Sequence, residues 1–294
     1  MAAVRYRAWA TKEGRDMGAL LALISSLSWG VADFIGGLAA RRAGPVQVLV
    51  VAYPAGAVVL TAVALFVIPG NLTPAVLPYA VVAGTIGALA IGLLYAALTR
   101  GPMGVVSPIT AVMSGAVPVA AGVLTGETLS GLAIVGMVLA VFAVILVSRE
   151  SGQAHERTPM SALLLAIASG TSIGLYLTAI GLAPADSGVW VATLGRWVST
   201  IAMVLTLLLV IRTFTRAKFP WLLAIVSGIL DASANGIFQL ATQRGLLAIV
   251  AVIGSLYPAA TVVLARIFIK ERLNRVQITG VVAALAAAAS LALA

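Results

Sequence analysis

LLALISSLSWGVADFIGGLA (residues 20–39) and LLAIASGTSIGLYLTAIGLA (residues 164–183) lie 144 residues apart and read as two versions of one segment. Leu20 and Leu21 fall on Leu164 and Leu165, Ser25 on Ser169, Ser28 on Ser172, and Gly30 on Gly174. Gly37-Leu38-Ala39 falls on Gly181-Leu182-Ala183. The offset holds without a gap far beyond this stretch. Gly84 meets Gly228, Gly92 meets Gly236, Arg100-Gly101 meets Arg244-Gly245, Glu127 meets Glu271, and Gly136 meets Gly280. The chain is one block written twice.

Composition sets the solvent. Of the 294 residues 62% are hydrophobic and 9% charged, and the mean hydropathy is +1.13; a soluble domain carries about 25% charge. Apolar runs near the ~20 residues needed to cross a bilayer recur from end to end. Hydropathy with Gly, Pro and charge punctuation predicts spans at 17–39, 46–68, 75–98, 102–125 and 129–148 in the first copy. The second copy gives 160–182, 188–211, 219–242, 246–268 and 274–293. The expected organisation is a basic tail at 1–16, a first repeat at 17–148, and a second repeat at 159–293 after the linker SRESGQAHERTP. Met17 onward reads as a retained helix rather than a cleaved signal peptide. Five spans per copy force the second copy to enter the bilayer upside down. Inverted repeats of this kind build two gates around one central site in many secondary transporters. The expected fold is therefore an all-α membrane protein of ten transmembrane helices, arranged as two inverted five-helix repeats.

Several function classes fall away. The net charge of +9 sits in the tail and between spans, where Arg and Lys anchor helix ends, so nucleic acid is not an expected partner. Cysteine is absent and the one histidine, His155, lies in the linker, so neither a metal nor another cofactor is expected. No Walker A pattern exists for ATP hydrolysis. An intramembrane enzyme would need a nucleophile with its base, or a metal-binding set, which the chain lacks. With the N-terminus inside, five basic residues face inward and eleven outward, so the positive-inside rule favours the opposite orientation.

Ser28-Trp29-Gly30 followed by Phe34 resembles the opening of EamA-type proteins of the drug/metabolite transporter superfamily. Gly126-Glu127-Thr128-Leu129-Ser130 with Gly136 is similar to the Gly-Glu-x-Leu signature between their fourth and fifth spans. Lys270-Glu271-Arg272-Leu273-Asn274 with Gln277 and Gly280 is similar to the same signature in their second repeat, with Lys270 where Gly is usual. The resemblance covers essentially the whole chain. It implies a carrier in the bacterial cytoplasmic membrane that moves small metabolites, often outward, by alternating access. It also implies both termini in the cytoplasm, against the charge count.

Ionisable groups within a span are costly unless paired or facing a hydrated cavity, so each is a candidate for function. Ser227, Asp231, Asn235 and Gln239 recur every four residues and share one face of the eighth span; that face is expected to line a cavity or to bond a neighbouring helix. The aligned first-copy stripe, Ala83, Gly87, Ile91 and Tyr95, is almost featureless. Arg196 is expected to face the interior, either clamping a substrate carboxylate or pairing with Asp231. Trp190 reads as an interface anchor and Trp197 as a cavity wall. Trp29 and Asp33 share a face with Gly36, and Asp33 is a candidate for proton coupling or a carboxylate capped by a hydroxyl. Tyr176, Ser169, Ser172, Ser255 and Tyr257 are expected to add hydroxyls at cavity depth. Arg266 is close enough to a span end to snorkel. Glu127 and Glu271 read as groups at the start of the helix that follows each. Pro108, Pro118 and Pro258 permit kinks, while Gly122-x-x-x-Gly126 and Gly170-x-x-x-Gly174 allow close helix packing.

The expected function is secondary transport, as an exporter, of small polar metabolites such as amino acids or organic anions. Efflux of hydrophobic compounds and a non-transporting scaffold are the alternatives. The expected partners are a small-molecule substrate and the lipid bilayer, with the chain a monomer or homodimer.

Overall fold

A computed structural model of the chain describes residues 12–101, 103–147, 159–214, 216, 218–268 and 275–292. His155 and Glu271, and the side chains of Pro108, Pro258 and Arg266, lie outside what is described. The first half holds α1 (Lys12–Ala43), α2 (Pro45–Phe66), α3 (Val76–Leu98), α4 (Met103–Leu124) and α5 (Gly131–Val147). The second holds α6 (Met160–Gly181), α7 (Trp190–Thr206), α8 (Trp221–Thr242), α9 (Leu247–Gly254), α10 (Tyr257–Phe268) and α11 (Arg275–Ala292). A π turn, Leu207–Ile211, continues α7.

Among the described residues six helices are long and apolar enough to cross a membrane: α1 from Asp16, α2, α3, α6, α7 with its π turn, and α8. Shorter apolar helices run at Ile109–Leu124, Gly131–Leu146 and Leu247–Thr261. Helices suit this solvent because each satisfies its backbone polar groups internally. The expected ninth span is broken. Ser255 and Leu256 form a turn between α9 and α10, and Pro258 follows in the first turn of α10, where a missing N–H costs nothing.

The packing is two-fold. α1 lies on α8 as α3 lies on α6; α2 lies on α8 as α3 lies on α7; α4 lies on α6 as α9 and α10 lie on α1. Two pairs of glycines at the 144-residue offset, Gly30 with Gly174 and Gly84 with Gly228, do matching work. A Cβ on Gly30 would meet Tyr257 and Ala260, and one on Gly174 would meet Met113 and Val117. Ala52 lies against Gly228 and Leu60 against Gly236, so α2 and α8 run in the same direction. Gly84 packs on Gly195 and Val198 in the same way between α3 and α7. Gly170 and Gly174 do seat α6 on α4, at Thr110 and Met113–Val117. Gly126 does not pack: it takes φ +94 in open space and turns the chain out of α4.

One end of the bundle gathers the C-terminal ends of α2, α4, α6 and α8. Asn71 donates from its backbone N–H to the Asp186 carbonyl at 2.8 Å and from its amide to Asp186 Oδ2 at 2.9 Å. Trp190 Nε1 donates to the Gly70 carbonyl at 3.2 Å. Glu127 differs from its expected role. The helix after it, α5, is capped by Ser130, whose Oγ accepts from Ala133 N–H at 3.0 Å. The Glu127 carboxylate instead accepts the N–H groups of Leu247 at 2.7 Å and Ala248 at 3.0 Å. It thus caps α9 in the other repeat, where the exposed amides and helix dipole favour an anion. Glu127→Ala is expected to lower stability by about 2 kcal/mol, and Glu127→Gln by less. Thermal unfolding in detergent checks this, and an alanine variant as stable as the parent would refute it.

Candidate functional site

A cavity of about 630 Å³, counting its open mouth, lies where α1, α3, α4, α6, α7, α8, α9 and the start of α10 converge. Its polar groups are Asp33, Tyr176, Arg196, Asp231 and Asn235, with Ser114, Ser199, Ser255 and Tyr257 beside them. Trp29, Ile91, Ile173 and Leu177 supply apolar wall. Both repeats contribute.

Its centre is an ion pair. Arg196 Nη2 lies 2.5 Å from Asp231 Oδ2, with the two side chains only 5% and 13% exposed. The guanidinium also sits 4.7 Å from the centre of the Tyr53 ring, a cation–π contact that desolvation strengthens. Tyr53 is itself fixed by donating from its hydroxyl to the Gly87 carbonyl at 3.2 Å. Of the two roles open to Arg196 from sequence, pairing with Asp231 is the one seen.

The stripe on α8 divides by depth. Asp231 and Asn235 line the cavity, and Asn235 Nδ2 donates back to the Asp231 carbonyl at 2.6 Å. Gln239 is buried outside it, accepting Ala192 N–H at 2.8 Å and donating to Ser187 Oγ at 3.0 Å. Ser227 is buried and donates to the Ala224 carbonyl at 3.1 Å. Two of the four expected cavity groups therefore join helices or satisfy their own turn. The plain stripe on α3 faces the same space, since Gly87 and Ile91 line the cavity. Tyr95, one turn on, presses its hydroxyl on Gly36, so Gly36 seats a ring rather than lining the cavity.

On α1, Trp29 and Asp33 both line the cavity. Gly254 leaves room for the Trp29 ring, which tilts on Phe238 with centroids 5.4 Å apart. Among the described residues no hydroxyl caps Asp33 and no cation pairs with it. Tyr176 lines the cavity as expected; Ser169 and Ser172 do not, donating to the carbonyls of Ala90 and Ala168 at 2.8 Å each. Trp197 is not a cavity wall. It is 38% exposed and donates from Nε1 to Thr61 Oγ1 at 3.0 Å. Sequence reasoning missed Tyr53, Ser114 and Ser199. Tyr53, an aromatic hydroxyl deep in an otherwise apolar span, was the available signal.

Comparison with known proteins follows the same division of the chain. The model of the EamA-like transporter family matches residues 16–149 and again residues 160–293. A solved structure titled "Crystal structure of protein" is similar in fold, with a TM-score of 0.72 at 17% identity, covering 93% of this chain and 95% of that one. No curated protein matches the chain. Two family matches, one to each copy of the repeat, together span nearly the whole sequence: the chain belongs to the EamA-like transporter family, and is a multi-pass membrane transporter of the drug/metabolite transporter superfamily.

Proposed function

We propose that the protein is a secondary carrier that exports small polar metabolites, amino acids foremost, across the cytoplasmic membrane by alternating access. The observation that carries this reading is the Arg196–Asp231 pair, held deep in a cavity that both repeats enclose. A buried ion pair is a poor way to stabilise a bundle, because desolvation offsets most of its attraction; within a membrane such groups mark substrate or ion pathways. The same-direction pairing of α2 with α8 and of α3 with α7 supports two oppositely threaded halves. We read α4, α5, the α9–α10 pair and α11 as the spans that complete ten. The apolar wall of Trp29, Ile91, Ile173 and Leu177 favours, as a second reading, efflux of more hydrophobic compounds.

Purified protein in proteoliposomes, assayed with radiolabelled amino acids, tests the reading. Wild type is expected to transport at least one of them, and Asp231→Asn and Arg196→Ala each to slow flux at least tenfold. Full-rate transport by both variants would sink the site assignment.

A further inference from the structure

The ionisable groups that line the cavity point to the chemistry of the ligand. Arg196 is committed to Asp231 and stacked on Tyr53. One of its donors already carries the Asp231 carboxylate, so a substrate carboxylate would have to share the guanidinium with it. Asp33 lines the same cavity with no ion pair or hydrogen bond among the described residues. Among the described residues, two carboxylates, Asp33 and Asp231, and one cation, Arg196, line the cavity.

A second observation lies in the same cavity. Tyr257 is 5% exposed and its hydroxyl is a buried polar atom without a hydrogen-bond partner. Buried hydroxyls are nearly always satisfied, so an orphan in a cavity wall asks what would satisfy it. Tyr257 and Asp33 are near enough to interact electrostatically, yet no hydrogen bond joins them. A group with several donors would bridge the space. An ammonium has three donors and one positive charge, and the Trp29 ring beside Asp33 offers a π face that favours a cation.

Resting on the carrier reading above, we propose that Asp33, Tyr257 and Trp29 form an ammonium subsite, so that the protein takes amines and amino acids with an apolar body and rejects simple organic anions. Asp33 supplies the counter-charge, the Tyr257 hydroxyl accepts one N–H, and Ile173 and Leu177 face the apolar body. This narrows the substrate class to molecules that carry a positive nitrogen.

Three probes of one shape test it: phenethylamine, 2-phenylethanol and phenylacetate, which differ only in a charged amine, a neutral hydroxyl or a carboxylate end. Binding of radiolabelled phenethylamine to the purified full chain is measured by equilibrium dialysis, with the other two as competitors. Phenethylamine is expected to bind, with 2-phenylethanol and phenylacetate each at least tenfold weaker. Asp33→Asn is expected to weaken phenethylamine at least tenfold, Tyr257→Phe about threefold, and Asp33→Glu to keep part of the affinity. Thermal unfolding of each variant separates lost binding from lost fold, and Asp33→Glu keeps the test informative if Asp33→Asn does not fold. Phenylacetate competing as well as the amine, wild type failing to bind the amine, or folded Asp33→Asn binding like wild type would each overturn the subsite. The last is also the result expected if Asp33 only holds a proton. Proteoliposome flux of a metabolite by protein that ignores phenethylamine would refute the subsite and leave the carrier standing. Amine binding without flux of any amino acid would do the reverse.

Discussion

Asp231→Leu is expected to be among the most damaging single changes in the protein. It leaves the Arg196 guanidinium, 5% exposed, without its ion-pair partner, and removing one partner of a buried pair costs about 3–5 kcal/mol. Arg196→Met should cost a similar amount by stranding Asp231. The double variant Arg196→Met/Asp231→Leu removes both charges with roughly matched apolar volume, a replacement that is often neutral or stabilising. It is therefore expected to unfold at a higher temperature than either single variant while failing to transport. Thermal unfolding followed by size-exclusion chromatography in detergent, alongside proteoliposome flux, checks the series. Simple additivity of the two single losses would show that the groups do not act as a pair.

Gly228→Val is the second. A Cβ at 228 would enter the backbone of Ala52, and backbone cannot give way as a flexible side chain does. Overpacking costs about 1–3 kcal/mol where neighbours can shift; here α8 must leave α2, carrying Asp231 with it. We expect little or no monodisperse protein. Its aligned partner, Gly84→Val, meets the Gly195 carbonyl and Val198 and should fail in the same way. Gly92→Ala meets nothing within 4 Å, and gains helix propensity of up to about 1 kcal/mol. Yields of folded protein from the three variants decide the matter; equal yields would remove close backbone approach as the reason for these glycines.

Duplication, spans and the polar side chains of the centre were legible in the sequence because each leaves a local trace. A fixed offset survives in glycines and serines, a span survives in hydropathy, and a four-residue recurrence such as Asp231 and Asn235 fixes a shared helix face. What that face meets is not written locally. Ser227 and Gln239 sit on the same stripe yet are satisfied by Ala224, Ala192 and Ser187. Trp197 follows Arg196 in sequence and therefore points about a quarter-turn away, toward Thr61. Glu127 gave no sign of a partner 120 residues on, since the start of any helix would accept a carboxylate. Tyr53 became part of the site only when α2 was brought beside α7.

The bonds from Asn71 to Asp186, from Trp190 to Gly70 and from Leu247 and Ala248 to Glu127 all lie at one end of the bundle. Asn71 and Asp186 are exposed. Every one of these bonds is a polar contact that solvent can replace donor for donor, unlike a zipper of leucines. Under the proposed alternating access, parting this seam would let water satisfy the freed amides and carboxylates, and the cost of opening would fall instead on wetting Leu247 and Ala248, which are buried there.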